Sequence, residues 1–205
     1  MKGKARTTKK RDVELLFEIG AFRHIERTWR QFLNPDVANN AEHTFRVLWI
    51  ACTLARYEKK VDYAKLLKMA MVHDLSESRC GDVHYLSRQY VERKESEAIS
   101  DIFFGTAHDD MVQVAFEYEK RECIEAKLVK DADNLDVEIE LAELRSKGHS
   151  LGGILTEGRN RLVLPKLYTD VGRMFWKEIQ SADPHSWHLG SPKNRFRSGD
   201  WKSKK

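Results

Sequence analysis

The spacing of the apolar residues is the feature that most constrains the fold of this chain. In successive segments the large apolar side chains recur three or four positions apart, which is the period of an amphipathic helix. Few segments show the alternation that strands require, and only four prolines interrupt the 205 residues. The pattern predicts an all-α bundle, and the length suits one domain with a sizeable hydrophobic core.

The predicted helices follow one another along the chain. We expect them over about 12–33, 39–55, 62–72, 88–104, 109–120 and 122–146, with a last helix after Pro165. Asn39, followed three residues later by Glu42, predicts a capping box for the second helix, and Asp62 predicts an N-cap for the third. Both helices are apolar on almost every side, so we expect both to be buried. Three glycines are expected to loosen the chain after the longest helix: Gly148, Gly152 and Gly153.

The basic residues are concentrated at the two ends of the chain, although its net charge is only +4. Residues 1–11 and 193–205 each carry six Lys or Arg, with Asp200 as their single acid, whereas the stretch between them is acidic. We therefore expect a basic disordered tail over 1–11, a helical domain over 12–182 and a second basic tail over 183–205. Such tails would give weak, salt-dependent affinity for nucleic acid at most, so nucleic acid is not an expected partner.

The hydropathy of the chain gives no indication of a membrane-spanning or targeting segment. No apolar run approaches the roughly 18 residues that span a bilayer, and the basic N-terminus lacks the apolar segment of a secretory signal. The three scattered cysteines indicate reduced thiols instead of a disulfide framework. We therefore expect a cytoplasmic protein that does not bind a membrane.

Polar side chains interrupt three of the apolar helices. His43 lies at the start of the second predicted helix, and His73 and Asp74 follow the apolar run at the end of the third. The longest helix carries three carboxylates within six positions: Asp131, Asp133 and Asp136. Because Asp is a poor residue inside a helix and buried polar groups need partners, each of these clusters requires an explanation.

Two histidines and two carboxylates from three helices would supply two nitrogen and two oxygen ligands to one metal ion. This ligand set suits divalent ions of intermediate hardness, such as Mn, Fe, Co, Ni or Zn. Helical geometry alone leaves Asp131, Asp133 and Asp136 open as the fourth ligand. The residues therefore predict a metal site inside the bundle, with one ligand undecided.

Four motifs contain or adjoin these polar residues. They read Arg27-Thr28-Trp29, Ala41-Glu42-His43-Thr44, the ten residues from His73 to Asp82, and Val129-Lys130-Asp131-Ala132-Asp133. They resemble motifs of the HD-domain superfamily of metal-dependent phosphohydrolases, which is named for an adjacent His-Asp pair. Within it, the chain is most similar to the small single-domain branch that includes 5′-deoxynucleotidases, in which the motifs are R-T-x-W, x-E-H-[ST], H-D-x-x-E-x-x-x-G-D and V-K-x-x-D. The resemblance covers roughly residues 12–145 and implies a single-domain HD-type helical bundle with a buried metal site.

The resemblance also implies a role for each matched residue. It selects Asp133 as the fourth ligand and implies one divalent transition metal ion held by four residues: His43, His73, Asp74 and Asp133. It implies that Glu77 is the catalytic residue, which exchanges a proton with the reacting groups. It implies three substrate-binding residues: Arg27, Trp29 and Asp82.

Several of these assignments leave an alternative open. The Gly that relatives carry between the Thr and the Trp is absent here, so the arginine that faces the site could be Arg23, Arg27 or Arg30. Trp29 also fits a packing position in the core, and Asp82 also fits a capping residue in a turn. The two carboxylates that the motif does not select would lie beside the metal ligands or on the surface of the longest helix.

The resemblance implies an enzyme that releases phosphate from a small nucleotide. The substrate that it favours is a (deoxy)nucleoside 5′-monophosphate. Hydrolysis of a nucleoside triphosphate or of a nucleotide phosphodiester is an alternative for the same site. A noncatalytic domain that senses a nucleotide is a further alternative, since a fold does not by itself establish an activity. Small members of this branch are often dimers, so we also expect a homodimer.

Overall fold

The structure, a computed structural model that describes residues 7–33, 37–190 and 192, places ten helices around a long one. In chain order they are α1 (Lys9–Ala21), α2 (Arg30–Leu33), α3 (Asn40–Ala55), α4 (Tyr63–Val72), α5 (Glu77–Cys80), α6 (Glu95–Phe103), α7 (Asp110–Lys120), α8 (Ile124–Ser146), α9 (Ser150–Leu162), α10 (Asp170–Ser181) and α11 (Ser186–Leu189). Within the described ranges the one strand-like pairing is an isolated bridge between Glu26 and Asn39, so the predicted all-α fold is confirmed. No described helix has the length and apolar character needed to cross a membrane.

Helix α8 forms the centre of the bundle. Helices α3, α4, α7, α9 and α10 all pack against it, and its side chains Leu128, Ala132 and Leu135 are fully buried. Burying a side chain of the size of Leu contributes about 1.5–3 kcal/mol, so the packing of these helices against α8 stabilises the bundle. Because α3, α4 and α8 meet there, polar side chains placed on their facing sides are brought together.

Helices α3 and α4 begin where the sequence predicts. Asn39 accepts hydrogen bonds from two backbone N–H groups in the first turn of α3, and its own N–H donates to the Glu42 carboxylate at 3.0 Å, which completes the predicted capping box. Asp62 caps α4 by accepting a hydrogen bond from the N–H of Lys65 at 3.1 Å. The capping box fixes the first turn of α3, in which His43 lies.

The single helix predicted over 12–33 is wrong, because a 3₁₀ turn (Phe22–His24) and a non-helical stretch over 25–29 separate α1 from α2. In that stretch the Ile25 carbonyl accepts a hydrogen bond from the N–H of Asn40 at 3.0 Å. Asp82 accepts another from the N–H of Thr28 at 2.8 Å. These long-range hydrogen bonds satisfy the backbone in place of helical ones, and the apolar periodicity of the segment does not reveal them.

The predicted N-terminal tail is too long. The Thr8 side chain caps α1, and its backbone N–H donates to the Gly105 carbonyl at 3.2 Å. Arg11 donates to two backbone carbonyl groups at the end of α6. Residues 7–11 are therefore part of the folded domain, and the prediction for 1–6 lies outside the described residues.

The predicted C-terminal tail, 183–205, contains one short helix in its described part. Helix α11 lies there, and a His185 ring nitrogen lies 3.2 Å from the Ser146 hydroxyl at the end of α8. This contact connects the first residues of the predicted tail to the bundle, so the folded part of the chain extends beyond the predicted boundary at 182. Residues 191 and 193–205, which carry most of its basic charge, lie outside the described residues.

Two further helix predictions differ from the structure in their extent. Helix α6 begins at Glu95 instead of near 88, because Ser87–Gln89 form a separate 3₁₀ turn. The glycines after α8 do not leave a loose segment, because Gly152 lies inside α9 and faces α8. A Cβ atom at Gly152 would lie 3.2 Å from the Leu141 carbonyl oxygen, so the missing side chain lets the two helices approach closely.

Helices α3 and α4 are buried on one face only, which corrects the prediction that both are enclosed on all sides. Phe45 and Trp49 on α3 are each 65% exposed, and Met71 on α4 is 54% exposed. The opposite faces contain fully buried residues such as Leu54 and Met69. An apolar sequence pattern cannot distinguish a residue in the core from one in an apolar surface patch.

Asp131 joins α8 to the start of α10. Its carboxylate accepts hydrogen bonds from the N–H of Tyr168 at 2.8 Å and from the N–H and hydroxyl of Thr169 at 2.8 and 2.7 Å. Its burial excludes the helix surface, and both of its carboxylate oxygens bond to the segment before α10 instead of to a metal ligand, so the prediction that it lies beside the metal ligands or on the helix surface is wrong. It satisfies backbone N–H groups that begin α10, which is a structural role.

Gly172→Ala is expected to lower the Tm of the protein by about 5 °C. A Cβ atom at this position would lie 2.5 Å from Oδ2 of Asp131. Overpacking of this kind costs about 1–3 kcal/mol of folding free energy. In a chain of this size, each kcal/mol lowers the Tm by about 2–4 °C. Differential scanning fluorimetry measures the change. Gly153→Ala is the matched control, because nothing lies near its Cβ and Ala favours a helix. An equal loss of Tm in both variants would contradict the steric explanation.

Candidate metal centre

Four side chains converge where α3, α4 and α8 meet. They are His43 in the first turn of α3, His73 and Asp74 just after α4, and Asp133 in the middle of α8, and their ligand atoms all lie within 4.8 Å of one another. Nε2 of His43 lies 3.2 Å from Nε2 of His73 and 3.3 Å from Oδ1 of Asp133. In the part of the chain that the structure describes, no second group of three or more His, Cys, Asp or Glu side chains meets in this way. The structure thus brings together the four residues predicted as metal ligands, which we call the metal cluster.

The hydrogen bonds of the two histidines leave four electron-pair donors facing one another. Nδ1 of His73 lies 2.9 Å from the Ala70 carbonyl oxygen, so Nδ1 carries the hydrogen and Nε2 keeps a lone pair. Nδ1 of His43 lies 2.6 Å from Oδ2 of Asp136, which likewise leaves a lone pair on Nε2 of the neutral ring. When Nε2 of His43 carries no proton, the two imidazole lone pairs and the two carboxylates have no hydrogen to share with one another. They do fit one divalent transition metal ion.

Asp136 holds His43 in the orientation that the metal cluster requires. It is fully buried, and its second carboxylate oxygen accepts a hydrogen bond from Nε of Arg46. Arg46 also pairs with Glu143 at 3.0 Å, which anchors the network at the surface. A carboxylate on the far nitrogen of a metal-binding histidine fixes its tautomer and raises its basicity. Asp136 therefore lies beside the metal cluster, one of the two placements that the sequence left open.

The surrounding carboxylates change the proton affinity of His43. Burial and the nearby Arg27 act to lower the pKa of this imidazole. Hydrogen bonds to three carboxylates outweigh both effects and hold the pKa well above its ordinary value of 6.5. A proton on Nε2 and a metal ion would occupy the same position, so binding of a metal releases a proton and weakens as the pH falls.

Arg27 is the arginine that faces the metal cluster. Its side chain is 6% exposed, and Nη1 lies 3.3 Å from Oδ2 of Asp74. Arg30 pairs with Glu26 at the surface, and Arg23 is exposed. Nε of Arg27 is buried without a hydrogen-bond partner in the described structure. A buried guanidinium with an unused N–H beside the cluster is suited to bind an anion.

Trp29 and Asp82 line the same cavity as Arg27, and each also contacts other residues of the fold. Asp82 accepts hydrogen bonds from the N–H and the hydroxyl of Thr28, at 2.8 and 3.2 Å. This contact joins the stretch before α2 to the loop after α5. Trp29 is half-buried and packs against a small apolar cluster that includes Leu33 and Leu141. Both residues also line the cavity described below, so the packing and substrate-binding interpretations of Trp29 are compatible.

Glu77 begins α5, and two residues from distant segments hold its carboxylate. Nδ2 of Asn40 donates to Oε2 at 2.7 Å, and Nη1 of Arg93 lies 3.4 Å from Oε1. Burial, together with the negative charges of Asp74 and Asp82, raises the pKa of Glu77 to about 9. A carboxyl group with a raised pKa that lines a cavity is suited to donate a proton at neutral pH.

The two residues that hold Glu77 were not predicted from the sequence. Asn40 is fully buried and lies on the same face of α3 as His43. A second polar residue on this otherwise apolar face is a sequence pattern that indicates a functional role for Asn40. Arg93 lies in the loop before α6, where no local pattern distinguishes it from a solvated charge. Lys130 belongs to the matched motif of α8, and its Nζ lies 2.7 Å from Oδ2 of Asp133.

A cavity of about 240 Å³ adjoins the metal cluster. Four acidic side chains line it: Asp74, Glu77, Asp82 and Asp133. Four basic side chains also line it: Arg27, Arg88, Lys130 and Arg159. With Glu77 protonated at neutral pH, the lining carries one more positive than negative charge before a metal ion is added. Aromatic side chains form another part of the wall, so the cavity offers both charged and apolar surface.

Comparison with known proteins establishes the family of this chain. A model of the HD-domain family matches residues 19–154, so the chain belongs to the HD-domain family. The chain is 30% identical over 135 residues to 5′-deoxynucleotidase HDDC2 of Danio rerio, a match that covers 61% of this chain and 65% of that protein. It is 31% identical over 123 residues to 5′-deoxynucleotidase HDDC2 of Dictyostelium discoideum, which covers 54% of this chain and 65% of that protein. The matched part thus spans just under two thirds of the length of these relatives.

Solved structures show the same fold. A conserved hypothetical protein from Pyrococcus furiosus superposes with a TM-score of 0.66 at 26% identity, covering 83% of this chain and 99% of that one. A predicted metal-dependent phosphohydrolase from Magnetospirillum magnetotacticum superposes with a TM-score of 0.66 at 20% identity, covering 84% and 89%. At that identity the second likeness supports the fold alone. The family that the sequence motifs predicted is confirmed.

Proposed function

We propose that this chain is a metal-dependent phosphohydrolase that releases phosphate from a (deoxy)nucleoside 5′-monophosphate. One observation carries the proposal: two imidazole lone pairs and two carboxylates converge at a cavity that also contains the buried Glu77 and Arg27. The names of the two 5′-deoxynucleotidase relatives support the choice of substrate.

The metal cluster would hold one divalent ion from the series Mn, Fe, Co, Ni and Zn. Such an ion, when bound, polarises a phosphoryl oxygen and lowers the pKa of a water molecule. The chain contributes the rigidity of the site, because each ligand lies on, or directly after, a helix that packs in the core. Asp136 and the Ala70 carbonyl group orient the two imidazole rings.

Glu77 is proposed to move the proton. As water attacks phosphorus, the bond between phosphorus and the ester oxygen breaks, and protonated Glu77 donates its proton to that oxygen to release the nucleoside. A proton from the attacking water then restores Glu77, and the second product is inorganic phosphate. The position of Glu77 in the wall of the cavity and its hydrogen bond from Asn40 support its role as the acid, and its pKa is raised in the metal-free chain.

Arg27 and Lys130 are proposed to bind the phosphate group. Nε of Arg27 is buried without a partner among the residues that the structure describes, and Lys130 adds a second positive charge beside Asp133. A guanidinium at this position can form paired hydrogen bonds with two phosphate oxygens. Trp29 and Asp82 would then contact the sugar, since both line the cavity.

The homodimer and the cytoplasmic location stay predictions. An apolar surface supports the homodimer, because Phe45, Trp49 and Met71 are all more than half exposed on the outer faces of α3 and α4. Exposed apolar side chains that lie together commonly mark a protein interface. Light scattering measures the mass in solution, and a mass of one chain at micromolar concentration would contradict the homodimer.

The test of the proposed function uses purified protein with a panel of nucleoside mono-, di- and triphosphates and one nucleotide phosphodiester. Released phosphate or nucleoside is measured with Mn²⁺, with Co²⁺ and with EDTA. We expect metal-dependent release that is fastest from 5′-monophosphates. Faster release from a triphosphate or a diester would select an alternative substrate class, and no metal-dependent release from any of them would overturn the proposal.

A further inference from the structure

Three aromatic rings form one wall of the cavity that adjoins the metal cluster. Phe32 belongs to α2, and His84 and Tyr85 belong to the loop after α5. The ring centroids of Phe32 and His84 lie 5.2 Å apart, edge to face. Those of Phe32 and Tyr85 lie 6.4 Å apart, with their planes at 23°. We call these three residues the aromatic wall.

Hydrogen bonds fix the aromatic wall relative to the metal cluster. Nδ1 of His84 accepts a hydrogen bond from the N–H of Leu86 at 3.2 Å, and Nε2 lies 3.1 Å from the Ser87 hydroxyl. Two residues before His84, Asp82 accepts the hydrogen bonds of Thr28, so the two segments that carry the rings are joined. The position of the aromatic wall is therefore set by the same contact that positions Asp82 in the cavity.

Burial in the core does not account for the aromatic wall. Tyr85 is 71% exposed and Phe32 is 38% exposed, although both line the cavity. A single exposed ring is ordinary on a protein surface. Three contacting rings in the wall of a cavity that also contains charged groups have the composition of a small-molecule site, in which apolar rings bind one part of a ligand and charges bind the other.

We propose that the aromatic wall binds the purine or pyrimidine ring of the substrate by stacking, while the phosphate lies at the metal cluster. The proposal rests on the proposed function, because it takes the substrate to be a nucleotide. Every base has a flat π-face, and stacking of a base on an aromatic side chain stabilises binding without reading the identity of the base.

The chemistry of the aromatic wall also indicates its selectivity. Both ring nitrogens of His84 are used by hydrogen bonds within the loop, so they do not read the edge of a base. Phe32 has no polar atom. The aromatic wall therefore distinguishes a nucleotide from a sugar phosphate that lacks a base, and it discriminates little between purines and pyrimidines.

The test compares two esters: a 2′-deoxynucleoside 5′-monophosphate and 2-deoxyribose 5-phosphate, which has the same phosphate but no base. For the wild-type chain we expect a higher kcat/KM with the nucleotide. In Tyr85→Ala the ratio of the two kcat/KM values is expected to fall about tenfold, and in Tyr85→Phe it is expected to persist because the ring remains. Tyr90→Ala is the matched control, since Tyr90 is an exposed tyrosine outside the lining of the cavity.

A second measurement separates this proposal from the proposed function. The fluorescence of 2-aminopurine 2′-deoxyriboside 5′-monophosphate falls when its base stacks on an aromatic ring, and it needs no turnover. Quenching by the metal-loaded wild-type chain that Tyr85→Ala reduces would support the aromatic wall even if no ester were hydrolysed. A kcat/KM ratio or a degree of quenching that is unchanged in Tyr85→Ala would overturn the proposal, whatever the rate of hydrolysis.

Discussion

At neutral pH the Glu77→Gln variant is expected to release phosphate about 10²- to 10⁴-fold more slowly than the wild-type chain, with its metal content unchanged. Gln has nearly the same shape as Glu and can still accept the hydrogen bond from Asn40, but it has no proton to transfer. Since Glu77 is not among the four residues of the metal cluster, the ligand set is intact. Steady-state phosphate release and the bound metal, measured on the same sample, check both halves of this expectation.

Glu95→Gln is the matched control for this variant. Arg93 pairs with both Glu77 and Glu95, but Glu95 lies outside the lining of the cavity. We expect wild-type rates from Glu95→Gln. If the two variants lost activity equally, the loss would reflect a disturbed Arg93 and not a missing proton donor. Wild-type turnover by Glu77→Gln would remove Glu77 from the mechanism.

The Glu77→Gln variant is expected to be more stable than the wild-type chain when both are free of metal. The pKa of Glu77 is about 9 in the folded chain and near 4.5 in an unfolded one, so the unfolded state loses this proton at a lower pH. The folded state is therefore destabilised progressively as the pH rises from about 4.5 to 9, because the deprotonated carboxylate is disfavoured by burial. Gln does not ionise. The Tm of Glu77→Gln in EDTA should exceed that of the wild-type chain by more at pH 8 than at pH 5.

The sequence predicted the helices and the metal cluster because both depend on local patterns. The N-caps at Asn39 and Asp62 are set by side chains that bond within the next three residues, so their effect can be read directly from the sequence. The metal ligands stand out as polar residues in apolar helices, and the family motif separates Asp133 from Asp131 and Asp136. The structure then gives each of these three carboxylates a different environment.

The features that the sequence did not predict depend on contacts between distant segments. Arg27 enters the site because the chain around it is not helical. The Ile25 carbonyl accepts a hydrogen bond from the N–H of Asn40, and the N–H of Thr28 donates one to Asp82, so both partners lie more than ten residues away. The hydrogen bond from Asn40 to Glu77 likewise joins two segments that the fold brings together. Apolar periodicity reports which face of a helix is buried, but it does not report which loop closes over that face.

Asp133→Asn is expected to abolish binding of the metal ion and to lower phosphate release by at least about 10³-fold, because a metal ion contributes several kcal/mol to this type of reaction. The variant keeps the size of the side chain and removes one of the two negative charges in the metal cluster. It should still fold, since Leu128 and Leu135 of α8 are unaffected in the core. Calorimetric titration with Co²⁺, circular dichroism and phosphate release measure the three properties separately.

The Asp136→Asn variant separates the loss of a metal ligand from the loss of a residue that orients one. Asp136 contacts His43 from the side away from the metal cluster, so its loss should weaken Co²⁺ binding only about 10- to 100-fold, and excess metal should restore activity. Excess metal should not restore Asp133→Asn. Glu143→Gln, which alters the exposed end of the same network, should bind Co²⁺ like the wild-type chain. If Asp136→Asn lost metal more completely than Asp133→Asn, Asp136 would be the ligand, and the motif that selected Asp133 would have been misassigned.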